Sequence, residues 1–206
     1  MSEIGIPRLN ADESLSSELL PLNMYGYSKN LFDVWAIKHG LIDKIVGLKY
    51  FNVYGPNEYH KGDMRSVVHK AFEQIRDTGK VKLFKSKNPG YKDGEQMRDF
   101  IYVKDAVNMT LFFLEASDKN GLFNIGAGKA RKWNDLVNAI FSAMNLNAQI
   151  EYIDLPKNLE DKYQYFTEAK LDKLANAGYQ LPITSLEAGV TDYVQNYLMK
   201  GKYLGM

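Results

Sequence analysis

The stretch KIVGLKYFNVYG at residues 44–55 decides the fold class. Its apolar residues fall on both parities of an extended chain, at Ile45, Val46 and Leu48. A strand that is apolar on both sides is one covered on both faces, as in a parallel sheet. Gly55-Pro56 ends it. Upstream, Leu31, Phe32, Trp35 and Ala36 recur at helical spacing and predict a helix from Met24 to about His39, stopped by Gly40. Downstream, a helix over about 65–77 precedes a short strand at VKLF, 81–84. The cationic stretch 85–97 reads as a long flexible loop, and FIYV, 100–103, as a strand. Asp105 is placed to cap a helix running to about Ala116, with Val107, Leu111 and Leu114 as its apolar face. Strands at 122–126 and 149–153 and helices at about 132–144, 167–177 and 184–199 complete the pattern. Strand and helix alternate, which argues α/β. Residues 1–20 are polar and aperiodic and read as loop.

The bulk numbers narrow the function classes. With 206 residues the chain is long enough for a substantial core. A net charge of +1 gives no general attraction to nucleic acid or an anionic membrane, so neither partner is expected. No apolar run approaches the roughly 20 residues of a membrane span, and the first twenty residues lack the basic-then-apolar order of a secretory signal. The absence of cysteine removes disulfides and thiolate metal sites and permits a cytoplasmic location, which is the expectation. His39, His60 and His69 form no ligand set with nearby carboxylates, so no metal is expected.

A dinucleotide-binding unit opens with strand, G-x-G-x-x-G and helix. NIGAGKAR at 124–131 comes nearest, but Arg131 replaces the third glycine, and the segment reads as a tight strand-to-helix turn. A second pattern carries chemistry. Tyr25 and Lys29 are four residues apart and share a helix face. A phenol ordinarily titrates near pH 10, and a neighbouring ammonium favours the phenolate, which can take a carbinol proton while hydride departs. The same spacing is common on helix surfaces.

Four segments in order, PLNMYGYSKNLFD (21–33), LKYFNVYGPNEYHKG (48–62), MRDFIYVKDAVN (97–108) and FNIGAGKA (123–130), resemble the extended short-chain dehydrogenase/reductase family, which acts on nucleotide sugars. Together with DKYQYFTEAKL (161–171) and AGYQLPITSLEAGVTDYVQNYL (177–198), they look like the ADP-glycero-manno-heptose 6-epimerase branch. The likeness covers about 21–200 and corresponds to the C-terminal part of such an enzyme, without the glycine-rich first half.

The resemblance implies an incomplete Rossmann-like parallel sheet plus a smaller α/β substrate-binding domain. After the polar segment 1–20, residues 21–55 and 98–130 would be the remainder of the dinucleotide-binding domain, and 56–97 and 131–200 the substrate-binding region. It implies that Tyr25 accepts the proton, that Tyr27 only packs locally, that Lys29 holds the cofactor ribose, and that Lys61 of H-K-G is a second base. Lys29, Val53 and Lys61 would meet the cofactor. Asn52, Asp63, Lys70, Phe84, Lys85, Ser86, Lys87, Arg98 and Tyr163 would meet the nucleotide sugar. Asp63 and Lys70 stand where the family often has serine and histidine, and a carboxylate at 63 would repel a phosphorylated substrate. An ion pair of Arg98 with Asp99 or Asp105 is the simpler alternative for that arginine. The implied cofactor is NADP, with NAD left open. The implied activity is epimerisation of ADP-D-glycero-manno-heptose to the L-glycero epimer in lipopolysaccharide inner-core synthesis, by a homo-oligomer when complete. Another nucleotide-sugar epimerase or dehydratase, or a non-catalytic fragment, are the alternatives.

Overall fold

The computed structural model describes residues 9–11, 21, 24–116, 118–160 and 163–205; the loop expected over 1–20 otherwise lies outside them. In chain order the elements are β1 (Leu9–Ala11), α1 (Met24–Lys38), β2 (Val46–Tyr50), β3 (Asn52–Tyr54), a 3₁₀ turn (Tyr59–Met64), α2 (Val67–Thr78) and β4 (Val81–Phe84). There follow β5 (Met97–Tyr102), α3 (Val103–Glu115), β6 (Gly121–Ile125), β7 (Ala130–Lys132), α4 (Trp133–Ala143), β8 (Ile150–Ile153) and α5 (Lys157–Glu160). β9 (Thr167–Ala169), α6 (Asp172–Asn176) and α7 (Leu186–Tyr193), which runs on into a π turn (Val194–Leu198), close the chain.

Parallel pairing dominates, as the reading of 44–55 requires. β2 pairs with β6, β3 with β5, β4 with β8 and β1 with β9, all parallel; among the described residues only β7 runs antiparallel, against β5. The run 44–55 is two strands rather than one. The Phe51 N–H donates to Ile125 O at 2.9 Å, and the Val53 N–H turns back to Phe51 O at 2.8 Å. At that point the chain leaves β6 and joins β5.

Two cores result, and β5 is the wall between them. Side chains alternate across a strand. Phe100 and Tyr102 therefore enter a core built with α2, β4, α4 and α7, around Ile75, Phe141 and Val190. Ile101 points the other way, to Met109, Phe113, Phe123 and Ile125 of α3 and β6. In β3, Tyr54 joins the first core and Val53 packs against the second. Asp99, also in β5, pins the neighbouring turns. It accepts from the Ala127, Gly128 and Ala169 N–H groups at 2.6, 2.9 and 3.0 Å. Gly126 is required there, because a Cβ would stand 2.5 Å from that of Ala169.

Several local expectations are corrected. Leu9–Ala11 is a strand, paired to Thr167–Ala169, where a loop and a helix were expected. Hydrogen bonds from the Ala169 N–H to Asp99, and from the Asp99 N–H to Thr167 Oγ1 at 3.4 Å, hold 167–169 extended against helical periodicity. The strand expected at 100–103 starts at Met97 and gives way to α3 at Val103. Asp105 does not cap α3; it is buried and accepts from Thr184 N and Oγ1 at 2.8 and 3.0 Å. Val107, Leu111 and Leu114 are exposed, while Ala106, Met109 and Phe113 face the core. The helix carries two apolar stripes, and the tertiary fold buries the other one.

Candidate functional site

A cleft of about 200 Å³ opens between the β3–β5 pair and the first turns of α2 and α4. Asn52, Val53 and Phe100 form one wall; Arg65, Ser66, Val67 and Trp133 form the other. Its polar rim is held from behind. Ser66 caps α2 and places both its N–H and its hydroxyl on Glu58, at 2.9 and 2.6 Å. Arg65 donates to Gly62 O at 2.7 Å and to Glu73 at 2.7 Å. Asn52 is exposed, so its amide is offered to a ligand, while half-buried Val53 borders the cleft and packs against the second core.

The buried tyrosines of the first core are biased towards the neutral phenol. Burial pushes the phenols of Tyr54 and Tyr193 up, with carboxylates nearby adding to it. Tyr102 is pushed up by burial and then by its bond to Asp192. Tyr25 stands apart on α1 and is 73% exposed. Lys29 lies on the same helix face, as expected, its ammonium 5.3 Å from the Tyr25 ring centre. Tyr27, expected to pack, is also exposed.

The other expected residues fall into two groups. Phe84, Arg98 and Tyr163 are brought together: Phe84 meets Tyr163 edge-on at 6.5 Å, and the Arg98 guanidinium lies 5.5 Å from the Tyr163 ring and 5.9 Å from Trp133. Arg98 is 8% exposed and donates to Met97 O at 2.8 Å and to Gln164 O. It forms no ion pair with Asp99 or Asp105, because backbone N–H groups and Thr184 occupy those carboxylates. Burial pushes the Arg98 guanidinium down. Lys85 and Lys87 reach Asp154 and Glu160 at 3.1 and 3.7 Å, and Ser86 is tied to Asp93 and Asn88. Lys61 and Asp63 ride on the exposed 3₁₀ turn, and Lys70 lies half-buried on α2. Of all these, only Asn52 and Val53 line the cleft; Tyr25, Lys29 and Lys61 do not share it. Arg65, Ser66, Trp133 and Glu58 went unread in the sequence. Glu58 has a visible signal, a carboxylate three residues before Lys61 in PNEYHKGDM (56–64).

The sequence profile of the NAD dependent epimerase/dehydratase family matches residues 3–126, more than half of the chain. The chain belongs to this family. It is similar to an ADP-L-glycero-D-manno-heptose-6-epimerase of Nitratidesulfovibrio vulgaris (strain DP4), 58% identical over 187 residues, which cover 91% of this chain and 58% of that protein. The chain thus spans little more than half the length of the relatives it matches. Among solved structures it is similar to the ADP-L-glycero-D-manno-heptose-6-epimerase of Helicobacter pylori, at 30% identity and a TM-score of 0.68, over 84% of this chain and 50% of that one. The UDP-glucose 4-epimerase of Thermus thermophilus, solved with NAD, shares the fold at 24% identity and a TM-score of 0.67, over 85% and 54%.

For a member of an NAD dependent family, the cofactor's two ends meet different answers here. The turn at 124–131 does not suit a pyrophosphate, since Asp99 already takes the Ala127 and Gly128 N–H groups that would bind it. The nicotinamide end suits the cleft better, where Phe100 and Trp133 give apolar surface beside the exposed amide of Asn52.

Proposed function

We propose that this chain is the C-terminal part of an ADP-L-glycero-D-manno-heptose 6-epimerase. The whole enzyme would convert the D-glycero to the L-glycero epimer of the nucleotide sugar with NADP, or with NAD, for the lipopolysaccharide inner core. The observation that carries this is the 58% identity to a protein of that name over 91% of the chain. Bound NAD(P) supplies a hydride acceptor and donor. Tyr25 takes the proton of the sugar carbinol, and Lys29 stabilises the phenolate and holds the ribose hydroxyls. Lys61 serves as the second proton-transfer group, which an inversion needs because the ketone is reduced from its other face. Val53 would meet the cofactor and Asn52 would bond sugar hydroxyls. Lys70, Phe84, Lys85, Ser86, Lys87, Arg98 and Tyr163 surround the nucleotide, and the exposed Asp63 stays clear of its phosphates. In this reading 21–55 and 98–130 continue a dinucleotide-binding domain and 56–97 and 131–200 form the substrate side, with Leu174 and Tyr179 of the latter packing into the second core. The exposed apolar faces of α1 and α3 support a homo-oligomer when the protein is complete.

The test is product formation from ADP-D-glycero-manno-heptose by a longer protein that joins this chain to a glycine-rich first half, with the bound dinucleotide identified by mass. No epimerisation by that protein would refute the reading. The Asp99-occupied turn favours a second reading for the chain alone, a part that holds no dinucleotide by itself. NAD(P) retained by the purified 206-residue chain would rule that out.

A further inference from the structure

Glu58 is 4% exposed, although its neighbours in the chain form a polar surface turn. Its carboxylate is a junction. One oxygen accepts the Ser66 N–H at 2.9 Å and lies 3.8 Å from the Lys61 ammonium. The other accepts the Ser66 hydroxyl at 2.6 Å and the Tyr193 hydroxyl at 3.1 Å. Tyr193 in turn meets His69 Nδ1 at 3.1 Å, and His69 Nε2 lies 3.2 Å from Arg65. Ser66 and Arg65 belong to the cleft wall; Lys61 does not. A buried carboxylate needs partners of this kind to offset its desolvation. We propose that Glu58 is a positioning residue, which fixes the Lys61 ammonium next to the cleft by holding it and Ser66 on one oxygen. Buried Tyr193 keeps that oxygen pair from turning. This deepens the proposed function and rests on Lys61 acting there as a proton-transfer group.

Two measurements separate the claims. The first needs no activity: trypsin cleavage after Lys61 in this chain, with cleavage after the exposed Lys129 as control. Glu58→Gln releases the ammonium and loosens the turn, so the cut after Lys61 becomes at least fivefold faster while that after Lys129 is unchanged. An unchanged rate at Lys61 overturns the proposal. If Glu58→Gln does not fold, Glu58→Asp, which keeps the buried charge but shortens its reach, is read in the same way. The second is turnover of the longer enzyme. Glu58→Gln lowers kcat about tenfold with KM within twofold, and adds no further loss in a Lys61→Met background. An equal loss in that background shows a role independent of Lys61 and overturns the proposal. Full turnover of Lys61→Met would instead refute Lys61 as a proton-transfer group, leaving the cleavage rates to decide the Glu58 tie.

Discussion

The two cores differ in how completely they are closed. The first, around Ile75, Leu136, Ile140, Phe141 and Tyr193, is enclosed by helices α2, α4 and α7 and strands β3, β4 and β5. The second, around Ile101, Met109 and Phe123, lies beside surfaces that stay bare. On α1 only Ala36 is buried, while Leu31, Phe32 and Trp35 face solvent. α3 shows Val107, Leu111 and Leu114 on its outer side. Exposed apolar faces of this kind mark surfaces that another part of a longer protein or a second copy would cover. The closed half holds its own shape; the open half waits for neighbours.

Substitutions sharpen this contrast. Phe141→Ala in the closed core leaves a cavity and should cost about 3–5 kcal/mol, read from denaturant midpoints. A smaller loss would mean that the core is looser than its burial implies. Asp99→Asn, between the cores, puts an amide N–H against backbone N–H groups and should cost about 1–3 kcal/mol, with β9 the first segment to gain amide exchange. A pH effect should follow at His69. Burial pushes its imidazole down, so the unfolded chain binds the proton more readily. That stability is present above the ordinary imidazole value near 6.5 and is lost as pH falls from there through the lower value in the fold. Glu58 and Glu73 oppose the shift and Arg65 adds to it. The melting temperature should therefore fall from about pH 7 to 5, and less steeply in His69→Gln; parallel slopes would contradict the assignment. The smallest effect is expected on the open face. Leu114, 75% exposed, should tolerate serine within about 0.5 kcal/mol in this chain. A loss above 1.5 kcal/mol, roughly the least that truncating a buried side chain costs, would show that α3 is covered already.

Much of the architecture was legible before any coordinates. Ile45, Val46 and Leu48 pointed to a parallel sheet, and the parallel β2–β6 pair agrees, although β2 is only half-buried rather than covered on both sides. The switch at Phe51 was not legible, because it depends on where β5 lies. The α3 stripe was misread because a helix with apolar residues on two sides leaves the choice to its neighbours. Extended β9 was missed for a similar reason: its conformation is set by Asp99, distant in sequence. In the site, Asn52 and Val53 were reached through family likeness, and both line the cleft. Glu58 was passed over because a carboxylate in a polar turn ordinarily stays in water, and only Ser66 and Tyr193 show why this one does not.

The most direct test of the proposed chemistry compares the two phenols of the first helix. In the longer protein, Tyr25→Phe should lower epimerase turnover by about 10²-fold or more with an unchanged melting temperature, while Tyr27→Phe leaves turnover within twofold. Equal turnover in wild type and Tyr25→Phe would contradict the account.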